Sequence, residues 1–301
     1  MNVRHLLEIT DLSADEVRAV LDLAARPPES LGRPLDGEGA ALIFEKPSAR
    51  TRHSTEMAVV QLGGHPIYTR AEEVDFDTRE PVEDVMKILQ GYHRVVAARV
   101  YEHRVLTRMV DVAEIPVVNL LSDHAHPLQA LADALTMEQV VGGPLGGQVV
   151  AYVGDYNNVA RSLAEVCLLL GARVRFACPF GYEWDDAERE RLELLGDVTM
   201  TDRPTEAVAG AAFVHTDTWV SMGQEADKQE RKQAFEGYTV DSALMDLAAP
   251  DARFMHCLPA YRGLEVTTDV IDGPRSVVFQ QGHNRLHSAR AAIALLLGVR
   301  A

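Results

Sequence analysis

The sequence predicts an α/β protein made of two doubly wound parallel-sheet domains. Short apolar runs of strand type alternate with segments whose apolar residues recur at helical spacing, which is the pattern of a parallel sheet covered on both faces. A cluster of turn-forming residues at 142–147 interrupts this alternation, and the same pattern then restarts. We therefore place a domain boundary at 142–147.

Length and composition narrow the possible functions. The chain has 301 residues, of which 47% are hydrophobic, which suits two ordinary domains with buried cores. Its formal net charge of −16 argues against general binding to nucleic acid or to anionic membranes. No apolar run is long enough to cross a bilayer and the start lacks a secretory pattern, so we expect a cytoplasmic protein. Cys167, Cys178 and Cys257 share no metal or redox spacing, so a disulfide framework is not expected.

The first half begins with Ser13 and Glu16, which form a capping-box pattern before an amphipathic run to Ala25. We predict strands at 40–44, 66–68, 95–100 and 116–120, helices at 50–62, 81–93 and 127–141, and a charged loop at 70–80. In the second half we predict strands at 148–153, 174–177 and 211–215, with helices at 158–170 and 187–195. An apolar helix at 286–297 can pack on either half.

The residues that precede the helix at 50–62 predict an anion site. Ser48 can cap this helix, and Arg50 and Thr51 lie in its first turn. A helix N-terminus carries a partial positive charge and four backbone N–H donors without helical partners. We therefore expect a small anionic ligand, most simply a phosphorylated one.

Further polar residues follow other strands, where ligands of parallel α/β domains bind. Arg99 lies near the end of an apolar strand. Taken alone it is most simply a surface residue, but its apolar neighbours make an anionic partner that offsets its burial the alternative. His126 and Gln129 flank Pro127, and the neutral imidazole of His126 can donate to a carbonyl oxygen. A metal site at His124 with His126, or at His283 with His287, is disfavoured because no carboxylate set or cysteine pair accompanies either.

The second half carries a carboxylate and a thiol after its strands. The loop at 154–158 lacks the G-x-G-x-x-G pattern, which disfavours a dinucleotide-dependent oxidoreductase. Asp217 can hold an ammonium group, and an ordinary Asx-turn is an equal alternative. Cys257 lies beside His256 and is either a buried structural thiol or a reactive one.

Four motifs together resemble those of the aspartate/ornithine transcarbamoylase family. The segments at 48–52 (Ser-Ala-Arg-Thr-Arg) and 126–129 (His-Pro-Leu-Gln) are similar to its two carbamoyl phosphate motifs. Those at 217–223 (Asp-Thr-Trp-Val-Ser-Met-Gly) and 256–259 (His-Cys-Leu-Pro) resemble its ornithine-specific branch. All four occur in the family's order over nearly the whole chain.

The resemblance implies a carbamoyl phosphate-binding domain at 1–141, completed by the C-terminal helix at 286–301, and an ornithine-binding domain at 142–285. It implies a homotrimer that uses neither a metal nor an organic cofactor. The residues matched to carbamoyl phosphate binding are Ser48, Ala49, Arg50, Thr51, Arg99, His126, Gln129, Cys257, Leu258 and Arg285. Those matched to ornithine are Asn158, Asp217, Ser221 and Met222, and those matched to catalysis are Cys257, Arg99, His126 and Thr51.

The implied reaction is transfer of a carbamoyl group to the side-chain amine of L-ornithine, in arginine biosynthesis. Either Cys257 or the phosphate can take the amine proton. Four features depart from the family: Ala49 replaces a threonine, Leu128 replaces a frequent cysteine, the 70–80 loop lacks a glutamine that Arg79 can replace, and the 280–285 segment lacks the usual acidic residue before Asn284 and Arg285. Three alternatives remain: a different amine acceptor, catabolic phosphorolysis of citrulline, and a binding protein that has lost catalysis. The different acceptor would be putrescine or an N-acylated ornithine, and Asp217 argues against both.

Overall fold

The structure is a computed structural model that describes residues 5–220 and 227–301. The chain divides into two compact units, Met1–Leu135 with His283–Ala301, and Thr136–Gly282. The chain passes from one unit to the other inside two helices, α6 at Pro127–Val141 and α13 at Val278–Leu296. Among the described residues, no helix has both the length and the hydropathy that a membrane-spanning segment needs.

The first unit contains a four-stranded parallel sheet in the order β2-β1-β3-β4. Its strands are β1 (Gly39–Phe44), β2 (His65–Arg70), β3 (Val95–Arg99) and β4 (Val117–Leu121). Its helices, besides α6 and α13, are α1 (Ala14–Ala25), α2 (Ala49–Gln61), α3 (Ala71–Val74), α4 (Val82–Leu89) and α5 (His103–Val112). Residues of β1, β3 and β4 pack with α4 and α5 in a continuous apolar core, as expected for strands covered by helices.

The second unit contains a five-stranded parallel sheet in the order β7-β6-β5-β8-β9. Its strands are β5 (Val149–Val153), β6 (Arg173–Ala177), β7 (Val198–Thr201), β8 (Phe213–Thr216) and β9 (Arg253–His256). Its helices are α7 (Asn158–Leu169), α8 (Asp186–Glu193), α9 (Pro204–Val208), α10 (Lys228–Ala234), α11 (Ser242–Met245) and α12 (Thr268–Ile271). The two parallel-sheet α/β domains that the sequence predicts are confirmed.

Local signals located several elements well. Ser13 caps α1 with the predicted capping box, since its Oγ accepts the Glu16 N–H and Glu16 Oε2 accepts the Ser13 N–H at 2.9 Å. Three predictions were wrong in extent. The 70–80 loop contains the short helix α3, the helix expected at 81–93 ends at Leu89, and the C-terminal helix begins at Val278 rather than near residue 286. Gly282 lies inside α13, because tertiary packing outweighs the roughly 1 kcal/mol cost of a helical glycine.

Candidate active site

The anion site predicted in the first unit has the expected local structure. Strand β1 ends at Phe44, and Ser48 takes an extended conformation as the N-cap of α2, where its Oγ accepts the Thr51 N–H at 3.4 Å. The first turn of α2 therefore presents its remaining N–H groups at a helix end with a partial positive charge. Ala49 and Arg50 are exposed at this end, and Ser48 is half-buried. The Arg52 guanidinium forms an ion pair with the Glu56 carboxylate one turn further along α2, at 2.7 Å.

The Thr51 hydroxyl joins residues from distant parts of the chain. Thr51 is 1% exposed, and its Oγ1 accepts hydrogen bonds from Arg285 Nη2 at 2.6 Å and Ser48 Oγ at 3.0 Å. Arg99 Nη1 lies 3.5 Å from the same oxygen. Arg285 comes from α13 and Arg99 from the end of β3, and both are buried. The structure thus brings two guanidinium groups together at the N-terminus of α2, which suits a phosphate group.

His126 is buried beside these cations. Burial, followed by the positive charges of Arg285 and Arg99, holds the pKa of His126 well below its ordinary value. The imidazole is therefore neutral at pH 7, with one ring N–H to donate and one nitrogen to accept. Asn119 fixes the preceding loop, because its Nδ2 donates to the backbone oxygen of Leu7 at 2.8 Å and to that of Ala125 at 3.2 Å.

Gln129 lies in the first turn of α6 and is buried. Its amide orientation is defined, because Nε2 donates to the Asp133 carboxylate at 2.7 Å. Its Oε1 is also buried and has no hydrogen-bond partner among the residues that the structure describes. A buried acceptor without a donor is costly, so Oε1 is suited to receive an N–H group from a ligand.

In the second unit, Asp217 follows β8 and is 7% exposed. Its two carboxylate oxygens have different partners: Oδ2 accepts from Asn157 Nδ2 at 3.2 Å, and Oδ1 accepts from Cys257 Sγ at 3.1 Å. Asn157 caps α7, and its Oδ1 accepts two backbone N–H groups, so its amide is also oriented. Asp217 and Cys257, which were predicted separately as site residues, are thus brought together, and the half-buried Asn158 follows Asn157 directly.

Asp217, His256 and Cys257 form a group of three potential metal ligands within the described residues. However, His256 Nδ1 accepts the Leu258 N–H at 2.8 Å, and Nε2 lies 3.3 Å from the buried carboxylate of Glu265. Both ring nitrogens are therefore used in hydrogen bonds, and metal binding would require breaking one of them. Leu258, which makes the first of these bonds, has a φ of 60°, a left-handed backbone conformation that is uncommon for a residue with a side chain.

Asp155 and Arg231 form a buried ion pair in the second unit that was not predicted from the sequence. Arg231 is 7% exposed and donates to Asp155 Oδ2 from both terminal nitrogens, at 2.9 Å each, and to the Trp219 backbone oxygen at 3.0 Å. Burial raises the pKa of Asp155 to about 6, against the lowering effect of Arg231 and with a further rise from Asp217. No local pattern links these two residues. The predicted Ser221 and Met222 lie outside the described residues.

Comparison with known proteins agrees with the groups of residues found in each unit. Residues 4–139 match the family model "Aspartate/ornithine carbamoyltransferase, carbamoyl-P binding domain", and residues 146–296 match the corresponding "Asp/Orn binding domain". The ornithine carbamoyltransferase of Thermus thermophilus is 46% identical over 98% of this chain and 97% of its own. A catabolic ornithine carbamoyltransferase of Halobacterium salinarum is 41% identical over 98% of this chain and 99% of its own.

A solved structure supports the same relationship. The ornithine carbamoyltransferase of Pyrococcus furiosus superposes with a TM-score of 0.92 at 42% identity, covering 98% of this chain and 97% of that one. Both family domains, the relatives of nearly equal length and the clustered motif residues lead to one conclusion. This chain belongs to the aspartate/ornithine carbamoyltransferase family.

Proposed function

We propose that this protein transfers the carbamoyl group of carbamoyl phosphate to the side-chain amine of L-ornithine, giving L-citrulline and phosphate. The observation that carries the proposal for ornithine is the buried Asp217 carboxylate, which lies next to the Cys257 thiol and is oriented by Asn157. A buried carboxylate of this kind suits the α-ammonium group of an amino acid. Relatives of this chain that are named ornithine carbamoyltransferases support the same assignment.

Carbamoyl phosphate is assigned to the first unit. Ser48, Arg50 and the N-terminus of α2 would bind the phosphate, together with Arg99 and Arg285. The carbamoyl oxygen would accept hydrogen bonds from Thr51, Arg99 and neutral His126, and the carbamoyl amino group would donate to Gln129 Oε1. Ala49 contributes its backbone N–H.

Ornithine is assigned to the second unit. Asp217 would hold the α-ammonium group, while Asn158, Ser221 and Met222 would contact the α-amino and α-carboxyl groups. Cys257 and Leu258 would lie at the reacting amine and the carbamoyl group. The reaction uses no metal or organic cofactor in this proposal.

The side-chain ammonium first releases a proton to solvent, and attack of the resulting neutral amine on the carbonyl carbon forms a tetrahedral oxyanion with a positively charged nitrogen. Collapse of this intermediate breaks the bond between the carbonyl carbon and the phosphate oxygen, and the second proton leaves the nitrogen. An amine of lysine type has a pKa of about 10.4, so only ~1 in 10³ molecules is neutral at pH 7. Cys257 Sγ donates to Asp217 Oδ1 at 3.1 Å, a hydrogen bond that the thiol makes with its own proton. We therefore favour the departing phosphate as the proton acceptor, with Cys257 aligning the amine.

The biological direction and the assembly are also proposals. We propose an anabolic role in arginine biosynthesis, although relatives of this chain include proteins named anabolic and catabolic. We propose a homotrimer, as the family resemblance implies. Light scattering of the purified protein would test the trimer, and the ratio of forward to reverse rates at cellular substrate concentrations would test the direction.

The acceptor specificity is tested with three amines. N-acetylornithine lacks the free α-ammonium group, so Asp217 disfavours it. Putrescine keeps an ammonium group at the same chain length as ornithine and lacks only the α-carboxylate. Asp217 therefore does not discriminate between ornithine and putrescine, contrary to the expectation from the sequence, and discrimination against putrescine must come from the residues proposed to contact the carboxylate.

We expect citrulline formation from ornithine to exceed carbamoylation of both other amines. Asp217→Asn should lower kcat/KM for ornithine roughly 10²- to 10³-fold, because removing one partner of a buried charged pair costs about 3–5 kcal/mol. Putrescine should lose activity by a similar factor, and N-acetylornithine should not. The exposed Asp251 provides the matched control, Asp251→Asn.

Each contrary outcome has a distinct meaning. Asp217→Asn with ornithine kcat/KM within about threefold of the wild type would place the α-ammonium group elsewhere. A preference for another amine would overturn the assignment of ornithine and leave that of carbamoyl phosphate. No product with any amine, together with intact carbamoyl phosphate binding, would indicate a non-catalytic binding protein.

A further inference from the structure

The loop between β5 and α7 is held by a side chain that has no role in the proposed reaction. Tyr156 directly precedes Asn157, which contacts Asp217, and Asn158, which is assigned to ornithine. Its hydroxyl donates to Glu188 Oε1 at 2.6 Å, and its backbone N–H donates to the Tyr182 oxygen at 2.9 Å. The loop therefore has an attachment to α8 that is separate from its contacts to Asp217.

The ring of Tyr156 is also fixed. It packs edge-on against Phe176 of β6 with a centroid distance of 5.3 Å, and against Trp184 at 5.4 Å. Phe176 and Trp184 pack against each other at 5.3 Å, so the three rings form a closed cluster. T-shaped contacts of this kind favour one orientation of each ring.

The acceptor of the Tyr156 hydroxyl is held by charges. Glu188 accepts from Arg161 Nη1 of α7 at 2.6 Å and from two nitrogens of Arg191 at 2.7 Å each. Arg191 lies 2.8 Å from the fully buried Glu165. Glu188 is thus fixed to α7 and α8 and is 13% exposed, so thermal motion of its carboxylate is restricted.

We propose that Tyr156 is a positioning residue for the amino-acid substrate, and that Glu188 acts through it. Its ring and hydroxyl would fix the backbone conformation at Asn157 and Asn158. Asn157 would then be placed to orient Asp217, and Asn158 would be placed to contact ornithine. The inference rests on the proposed function. The alternative is that Tyr156 stabilises the fold without affecting substrate binding.

Two substitutions separate the contributions of the ring and the hydroxyl. Tyr156→Ala removes both, and should lower kcat/KM for ornithine about 10²-fold, because a displacement of about 1 Å in a binding group can cost that much. Tyr156→Phe keeps the ring and should lower it about 3- to 10-fold, the loss expected for one hydrogen bond. In both variants KM for carbamoyl phosphate should change less than about twofold.

Tyr238→Phe is the matched control, since the Tyr238 hydroxyl donates to the Asp202 backbone oxygen at 2.6 Å in the same unit. This variant should lower the melting temperature with no change in KM for ornithine. Binding of L-norvaline, which keeps the α-groups and lacks the reacting amine, should weaken in the Tyr156 variants by the same factor as kcat/KM. Calorimetry in the presence of carbamoyl phosphate measures this directly.

A double-mutant cycle tests the part assigned to Glu188. If Glu188 acts through Tyr156, the double variant Tyr156→Phe with Glu188→Gln should be no worse for ornithine than the more impaired single variant. This cycle also provides the test if Tyr156→Ala does not fold. Unchanged KM and norvaline affinity in Tyr156→Phe and Glu188→Gln, with only a lower melting temperature, would overturn the inference. Absence of citrulline formation by the wild type would instead overturn the proposed function.

Discussion

Thr51→Val tests whether the Thr51 hydroxyl organises the carbamoyl phosphate site. Valine keeps the shape of threonine and removes one oxygen. That oxygen accepts from Arg285 Nη2 at 2.6 Å and from Ser48 Oγ at 3.0 Å, and Arg99 Nη1 lies 3.5 Å away. A hydrogen bond to a charged group contributes about 1.5–3 kcal/mol, so the ligand-free variant should lose about 2 kcal/mol of stability.

The catalytic loss should be larger than this stability loss. Removing one donor from a developing oxyanion costs about 10²- to 10³-fold in kcat, or about 2.7–4 kcal/mol. Thr51→Ser keeps the oxygen and is the matched control, for which we expect a loss of no more than about fivefold. The assay is citrulline formation with both substrates saturating, accompanied by calorimetric titration of carbamoyl phosphate. A kcat for Thr51→Val within about threefold of the wild type, or an equal loss in Thr51→Ser, would refute the reasoning.

Three further predictions concern ionisable side chains. Burial would raise the pKa of Glu188, but hydrogen bonds from Arg191 and Tyr156 and nearby positive charges lower it to about 2. At 1.36 kcal/mol per pKa unit, Glu188→Gln should lower the free energy of unfolding by about 3 kcal/mol at pH 7. This difference from the wild type should disappear as the pH falls from about 4.5 to 2, and urea unfolding midpoints measured across this range check the prediction. Arg290→Met should lower the free energy of unfolding by about 3 kcal/mol, because the guanidinium of this 1% exposed residue donates to Gln61 and to two backbone oxygens at the end of α1. A loss of less than about 1 kcal/mol, measured by urea unfolding, would contradict this. His126→Asn should be slower by about 10²-fold but keep the wild-type pH profile between about pH 6 and 8, because the lowered pKa keeps His126 neutral there; a shifted acid limb would show that His126 titrates.

Local sequence signals predicted the elements that depend on local energetics. The caps at Ser13 and Ser48 were predicted from residue type and spacing, because each cap is a contact with an N–H three residues later. The helix at 127–141 was predicted at its observed bounds because Pro127 is favoured at a helix start and the turn formers at 142–147 follow its end. Apolar runs such as 95–99 predicted the buried parallel strands, because a strand covered on both faces is apolar along its length.

Contacts between distant residues could not be derived from spacing. Arg285 lies 234 positions from the Thr51 oxygen that it contacts, and Arg231 lies 76 positions from Asp155. The order of strands in each sheet decides which loops meet, and one sequence does not fix that order. The family resemblance named Arg285 through its motif, whereas Arg231 had no motif and was missed. The helix α3 was missed because four residues are too short for a periodic signal, and its formation depends on surrounding contacts.

The guanidinium groups of Arg99 and Arg285 help keep His126 neutral and also form part of the proposed phosphate site. The sequence analysis assumed a neutral imidazole, and the structure supplies the cause, since burial and the charges of Arg285 and Arg99 all oppose protonation. The same two guanidinium groups converge on Thr51, where a phosphate is proposed to bind. A bound phosphate would partly offset their charge, but burial would still disfavour the imidazolium form. His126 is therefore suited to donate a hydrogen bond to an oxyanion without transferring a proton.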